Sequence, residues 1–174
     1  MKNVRVIESS MIYSGGIKLR KDKFSLNGKI VNKEIVVHQN SIGIVAISGS
    51  NVILVAQYRA AANKVLLEIP AGKMENDETP RQAAIREMAE EIGCRGTLRP
   101  LLKWYLAPGY STELMHVFVA MNLKKITRGP LDEDENIRII KIKLREAIRK
   151  CLNGKIQDAK TIAALLAYHY EQNR

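Results

Sequence analysis

Two apolar runs set the tightest limit on how this chain folds. Ser41 to Ser48 (SIGIVAIS) and Asn51 to Gln57 (NVILVAQ) are dense in Val and Ile, and only Gly49-Ser50 divides them. Short continuous runs of β-branched residues that end at a turn signal are the mark of strands buried on both faces. The two runs are therefore expected as neighbours at the centre of a sheet, which the rest of the chain must cover. Upstream, short β-like pieces (Val4 to Ile7, Ile17 to Leu19, Ile30 to Val37) are separated by Gly15-Gly16 and by Asn27-Gly28, a strong hairpin signal, so antiparallel strands are expected there. Downstream, Leu98 to Tyr105, Leu114 to Asn122 and Ile137 to Leu144 read as further strands.

Three helices complete the pattern. The first takes Thr79 as N-cap and Pro80 as its first helical residue, and stops at Gly93. The second covers Leu144 to Leu152, with Leu144, Ala147, Ile148, Cys151 and Leu152 at helical spacing and Gly154 just beyond. Asp158 caps the third, which runs through TIAALLAYHY. Strands around one internal helix, with helices toward the C-terminal end, predict a mixed α+β layered domain.

Composition narrows the partners. At 174 residues and 46% hydrophobic content, the chain can bury a real core as one globular unit. A formal charge of +10 attracts anions, but the Lys and Arg residues are scattered and accompany no nucleic-acid motif, so a nucleic-acid partner is not expected. The opening residues contain no apolar segment of signal-peptide or membrane-span length, which predicts a cytoplasmic protein with no membrane partner. Cys94 and Cys151 lack zinc-like spacing and read as small core residues, and His38, His116 and His169 form no metal pattern.

Chemistry concentrates in GKMENDETPRQAAIREMAEEIGC, residues 72 to 94. At roughly 100° per residue, Glu87 and Glu91 lie about 40° apart on the helix, and Glu90 about 60° from Glu87. The acids thus share a face, with Ala84, Ile85, Met88 and Ile92 expected as the opposing apolar stripe. Crowded carboxylates repel unless cations offset them, and an oxygen-only donor set suits Mg²⁺, with Mn²⁺ as a substitute. Arg86 is placed to hold Glu90, leaving Glu87 and Glu91 to a metal. The plain alternative is a solvated acidic face with one Arg86–Glu90 pair.

The full spacing decides between them. Gly72, five residues, Glu78, seven residues, Arg86-Glu87, apolar Met88, one residue, Glu90-Glu91, one residue, Gly93 and apolar Cys94 together match the Nudix box. Typical residue usage makes a chance match on the order of one in a million. The resemblance to Nudix hydrolases implies an α/β/α sandwich around a mixed β-sheet. It also implies magnesium held by Glu87, Glu90, Glu91 and the Ala71 carbonyl, and water attack on a phosphorus of a diphosphate. Gly72 permits close backbone approach to the ligand.

From about Glu34 to Tyr168 the chain further resembles the ADP-ribose pyrophosphatase subfamily, through Gln57-Tyr58-Arg59, Leu67-Glu68-Ile69-Pro70-Ala71-Gly72 and Pro108 within LAPGYSTE. That resemblance implies hydrolysis of ADP-ribose to AMP and ribose 5-phosphate. Another nucleoside diphosphate derivative or a triphosphate remains an alternative substrate, and a non-catalytic nucleotide- or RNA-binding module an alternative of another class. The acidic run Leu131 to Glu135 resembles the loop from which these enzymes take a catalytic glutamate; Glu133 is favoured as base and Glu135 as auxiliary metal ligand, and a slip in the alignment exchanges them. Arg59 suits a phosphate, Glu113 the ligand or its water, and Tyr58, Trp104, Tyr105 or Tyr110 an adenine ring. The subfamily's habit of exchanging N-terminal strands implies a homodimer, with residues 1–40 as β extension and dimerisation element and residues 41–174 as the Nudix domain.

Overall fold

The hairpin signals act as read. In the computed structural model, which describes residues 4–128 and 137–174, β1 (Val4–Ser14), β2 (Lys18–Leu26) and β3 (Lys29–Val37) form an antiparallel three-stranded sheet. Asn27 and Gly28 turn β2 into β3 with φ of 52° and 80°. Two consecutive positive φ values define the primed turn whose twist matches that of antiparallel strands. These strands and residues 104–114 make one compact unit; residues 41–103 and 115–174 make a second. Inside the first, the Val36 N–H donates to the Tyr110 carbonyl at 2.7 Å and the His38 N–H to Thr112 Oγ1 at 2.9 Å, which stitches the 104–114 segment to β3.

The second unit is built on the two apolar runs, β4 (Ser41–Ser48) and β5 (Asn51–Arg59). After a 3-10 turn at Ala60–Ala62 come β6 (Lys64–Glu68), β7 (Ala71–Lys73), α1 (Pro80–Ile92), β8 (Cys94–Tyr105), β9 (Leu114–Lys125), β10 (Ile137–Lys143), α2 (Leu144–Leu152) and α3 (Ala159–Gln172). Strand order is β10-β5-β4-β9-β8, with β6 added to β5 and β7 to β4. The sheet is mixed, because β4 runs parallel to β9 and antiparallel to β5 and β7. β6 and β7 have no counterpart in the sequence reading: each is short, and Pro70 interrupts the apolar pattern between them.

Alternation along β4 and β5 divides the core into two layers. Ile42, Ile44, Ala46, Ile53 and Val55 join Ala83, Ala84, Met88 and Ile92 of α1 in one cluster. Val45, Val52 and Leu54, of opposite parity, are just as buried. α2 and α3 pack on these strands and supply the second cover. The architecture is thus α+β, with helices layered on a mixed sheet.

α1 starts where the sequence places it. Thr79 Oγ1 accepts from the Gln82 N–H at 3.3 Å, and Gln82 Oε1 accepts from the Thr79 N–H at 2.9 Å, a complete capping box. Gly93 ends the helix with φ of 57°. The apolar stripe differs from expectation. Ile85 is 42% exposed, and Ala83 lies in the core in its stead. The wheel fixes which residues are neighbours, whereas docking on the sheet selects the meridian that faces inward.

Leu54 has no solvent exposure. Leu54→Ala should therefore lower unfolding free energy by about 2–5 kcal/mol in urea titrations.

Candidate active site

The inward meridian of α1 carries charge. Glu87 and Glu91 are only 7% and 1% exposed, so the alternative of a solvated acidic face does not hold for them. Their environment follows from the loop that precedes the helix. Arg86 spends all five of its N–H donors there. Nε and Nη2 grip Glu78 at 2.9 and 3.1 Å, Nη1 bridges Glu87 at 2.9 Å and Glu90 at 2.8 Å, and Nη2 also reaches the Lys73 carbonyl at 2.9 Å. The expected Arg86–Glu90 pair is present, but the expectation that Glu87 stands apart from Arg86 is corrected: one guanidinium amino group spans both acids. The bonds to Glu78 first, then the charge of Glu87, raise the Arg86 pKa above the ordinary arginine value, while the Arg86 bonds hold the Glu78 carboxyl below the usual carboxylate range.

Glu91 turns to the backbone. Its Oε2 accepts from the Ala71 N–H at 2.8 Å, drawing the end of the β6–β7 corner onto α1. Next to it, Gly72 faces the Glu87 carboxylate so closely that any Cβ would overlap it. The glycine is thus required by a neighbouring acid, a steric demand that sequence reading had placed on the ligand. Among the described residues, no three His, Cys, Asp or Glu side chains are already gathered as a metal-ligand cluster; Arg86 and the Ala71 amide engage the carboxylates.

Arg59 lies at the end of β5 and makes a bidentate pair with Glu68, Nε to Oε1 and Nη2 to Oε2, both at 2.8 Å. Glu68 is 1% exposed, and Lys160 of α3 binds its Oε2 as well. Burial pushes the Glu68 carboxyl up, yet the Arg59 bonds and the Lys160 charge outweigh it and leave the pKa below the ordinary value. Sequence reading placed Glu68 only within a motif and missed Lys160. An acid inside the apolar run Leu66 to Pro70 does signal a buried partner, but nothing local names a lysine so distant in the chain.

Tyr58 is exposed, with its hydroxyl donating to Asn63 Oδ1 at 2.8 Å. Pro108 and Glu113 belong to the other compact unit, where Glu113 Oε2 is 3.6 Å from His38 Nδ1. Trp104, Tyr105 and Tyr110 belong there too. Glu133 and Glu135 lie outside the described residues.

Residues 37–165 match the family model described as NUDIX domain, which spans the carboxylate helix and its loop. The chain belongs to the Nudix family. It is 38% identical over 167 residues to a methanol dehydrogenase activator of Bacillus methanolicus, covering 92% of this chain and 90% of that one. Against an ADP-ribose pyrophosphatase of Bacillus subtilis it is 34% identical over 166 residues, again 92% and 90%. Other relatives bear the name GDP-mannose pyrophosphatase. A crystal structure of an ADP compounds hydrolase shares the fold, with a TM-score of 0.89 at 21% identity over 99% of this chain and 96% of that one. With its box intact, the chain is a Nudix pyrophosphohydrolase.

Gly72→Ala should displace the Glu87 carboxylate and abolish most turnover while far-ultraviolet circular dichroism stays native. Because its folded pKa is lowered, Glu68 contributes stability above the unfolded carboxylate pKa, and that contribution disappears as pH falls through the folded value. Urea midpoints measured from neutral to acid pH should therefore fall less steeply for Glu68→Gln than for the parent.

Proposed function

We propose that this Nudix enzyme hydrolyses ADP-ribose to AMP and ribose 5-phosphate with Mg²⁺, or Mn²⁺ in its place. The observation that carries the reading is the buried pair Glu87 and Glu91 pressed against Ala71 and Gly72. Buried carboxylates demand positive charge. The donor set of carboxylate oxygens has the hardness that magnesium selects. Glu87, Glu90, Glu91 and the Ala71 carbonyl would hold the ions, with Glu135 as auxiliary ligand. The ions would supply charge to offset the diphosphate and to activate the attacking water.

The protein's own groups do the rest. Arg86 orients Glu87 and Glu90 through one amino group. Glu133 takes the proton of the attacking water as the phosphorus–oxygen bond of the diphosphate breaks, with Glu135 as the other candidate for that base. Arg59 binds a phosphate oxyanion, and Gly72, Pro108, Glu113 and Tyr58 carry the substrate-facing roles implied by the resemblance. The relatives named ADP-ribose pyrophosphatase support this substrate, and those named GDP-mannose pyrophosphatase keep a second nucleoside diphosphate sugar open. We also propose a cytoplasmic homodimer. No helix of the described residues is long and apolar enough to cross a membrane. Val4, Val6, Ile7, Met11, Ile12 and Tyr13 of β1 are all exposed in the single chain, a row of apolar side chains that a second copy would cover.

Release of nucleoside monophosphate should be fastest from ADP-ribose in a panel with GDP-mannose and nucleoside triphosphates; preference for a triphosphate would sink the substrate. Glu91→Gln should lower kcat by roughly a hundredfold to a thousandfold at saturating magnesium, with substrate binding by calorimetry little changed. Near-normal activity of that variant would contradict the metal role of Glu91, whereas no metal-dependent turnover of the parent, together with RNA affinity that falls steeply with salt, would favour the non-catalytic module.

A further inference from the structure

Glu68, Arg59, Lys160 and Asp158 form a chain of alternating charge. Lys160 Nζ binds Glu68 and reaches Asp158 Oδ1 at 2.8 Å, while Asp158 Oδ2 accepts from the Thr161 N–H at 2.9 Å and so caps α3. Thr161 Oγ1 in turn accepts from the Ile69 N–H at 2.8 Å. A lysine in the first turn of a helix opposes the helix dipole, so position 160 breaks a local rule that an acid would satisfy. What it gains is the second oxygen of Glu68.

Exposure within the chain is uneven. The side chains of Glu68, Lys160 and Asp158 are 1%, 13% and 14% exposed, whereas that of Arg59 is 40% exposed. Arg59 is therefore the member open to solvent. Its Nε and one Nη2 proton are committed to Glu68, which leaves the Nη1 edge of the guanidinium for a ligand. The Arg59 charge also lies within the field of Glu91, which ties it electrostatically to the carboxylate helix.

We propose that Lys160 is a positioning residue for diphosphate binding. Glu68 fixes the plane of the Arg59 guanidinium, and Lys160 shares the charge of Glu68 so that Arg59 keeps more of its own charge for a phosphate oxyanion. Without Lys160, Arg59 is drawn fully into neutralising a buried carboxylate and its attraction for anions falls. The inference rests on the reading that Arg59 meets a phosphate, and its test does not need ADP-ribose to be the substrate.

Affinity for inorganic diphosphate, measured by calorimetry in EDTA, reads anion binding without bound metal. Lys160→Met should weaken it about tenfold, Lys160→Arg should restore most of the loss, and Lys160→Met should add little in an Arg59→Ala background, the signature of residues acting through one another. In turnover, Lys160→Met should raise KM about tenfold and change kcat by less than about threefold. Unchanged diphosphate affinity in soluble Lys160→Met, with only a lower melting temperature, overturns the proposal and leaves a structural ion pair. Equal loss in the Arg59→Ala background overturns it too. If Lys160→Met does not fold, Lys160→Gln is read by the same criteria. Should ADP-ribose resist hydrolysis while these diphosphate affinities behave as stated, the substrate is wrong and the positioning role stands.

Discussion

Burial of two carboxylates on the sheet-facing side of α1 governs the arrangement around them. An unpaired carboxylate taken from water costs several kcal/mol even after relaxation, so the chain around Glu87 and Glu91 has to deliver donors to them. Arg86 is saturated with five acceptor oxygens for this reason, and four of them belong to the acids Glu78, Glu87 and Glu90. Fixing Arg86 also fixes the loop, since the same guanidinium takes the Lys73 carbonyl. Gly72 is the steric corollary, a residue without a side chain where a carboxylate occupies the space.

The β6–β7 corner shows how one short segment transmits that demand. Ile69 donates to Thr161 of α3, the Pro70 carbonyl accepts from the Ile44 N–H at 2.8 Å, and Ala71 donates to Glu91 of α1. Three consecutive residues are thus held by a helix on one side, the central strand, and the carboxylate helix. Glu68 begins the corner and Gly72 ends it, each beside a buried acid or being one. Two charge clusters therefore share one short stretch of backbone.

Much of this was readable from local chemistry. Asn27-Gly28 announced its hairpin, Thr79-Pro80 and Gly93 bounded α1, and Asp158 marked the start of α3, because turns and caps depend on a handful of adjacent residues. β6 and β7 were not readable, since strands this short have no periodicity of their own and exist only by pairing with β5 and β4. Ile85 was misplaced for a related reason: helical spacing defines a wheel, and the sheet decides how far it is rotated.

For the site, the amino-acid order alone determined the family, the shared face of Glu87, Glu90 and Glu91, and the Arg86–Glu90 pair, since each follows from fixed spacings on a rigid helix. Only the tertiary structure decided that Glu87 and Glu91 are buried, that Gly72 yields its space to Glu87, and that Lys160 meets Glu68. Such contacts join elements far apart in the chain, and they arise from packing helices onto the sheet, which no local spacing encodes.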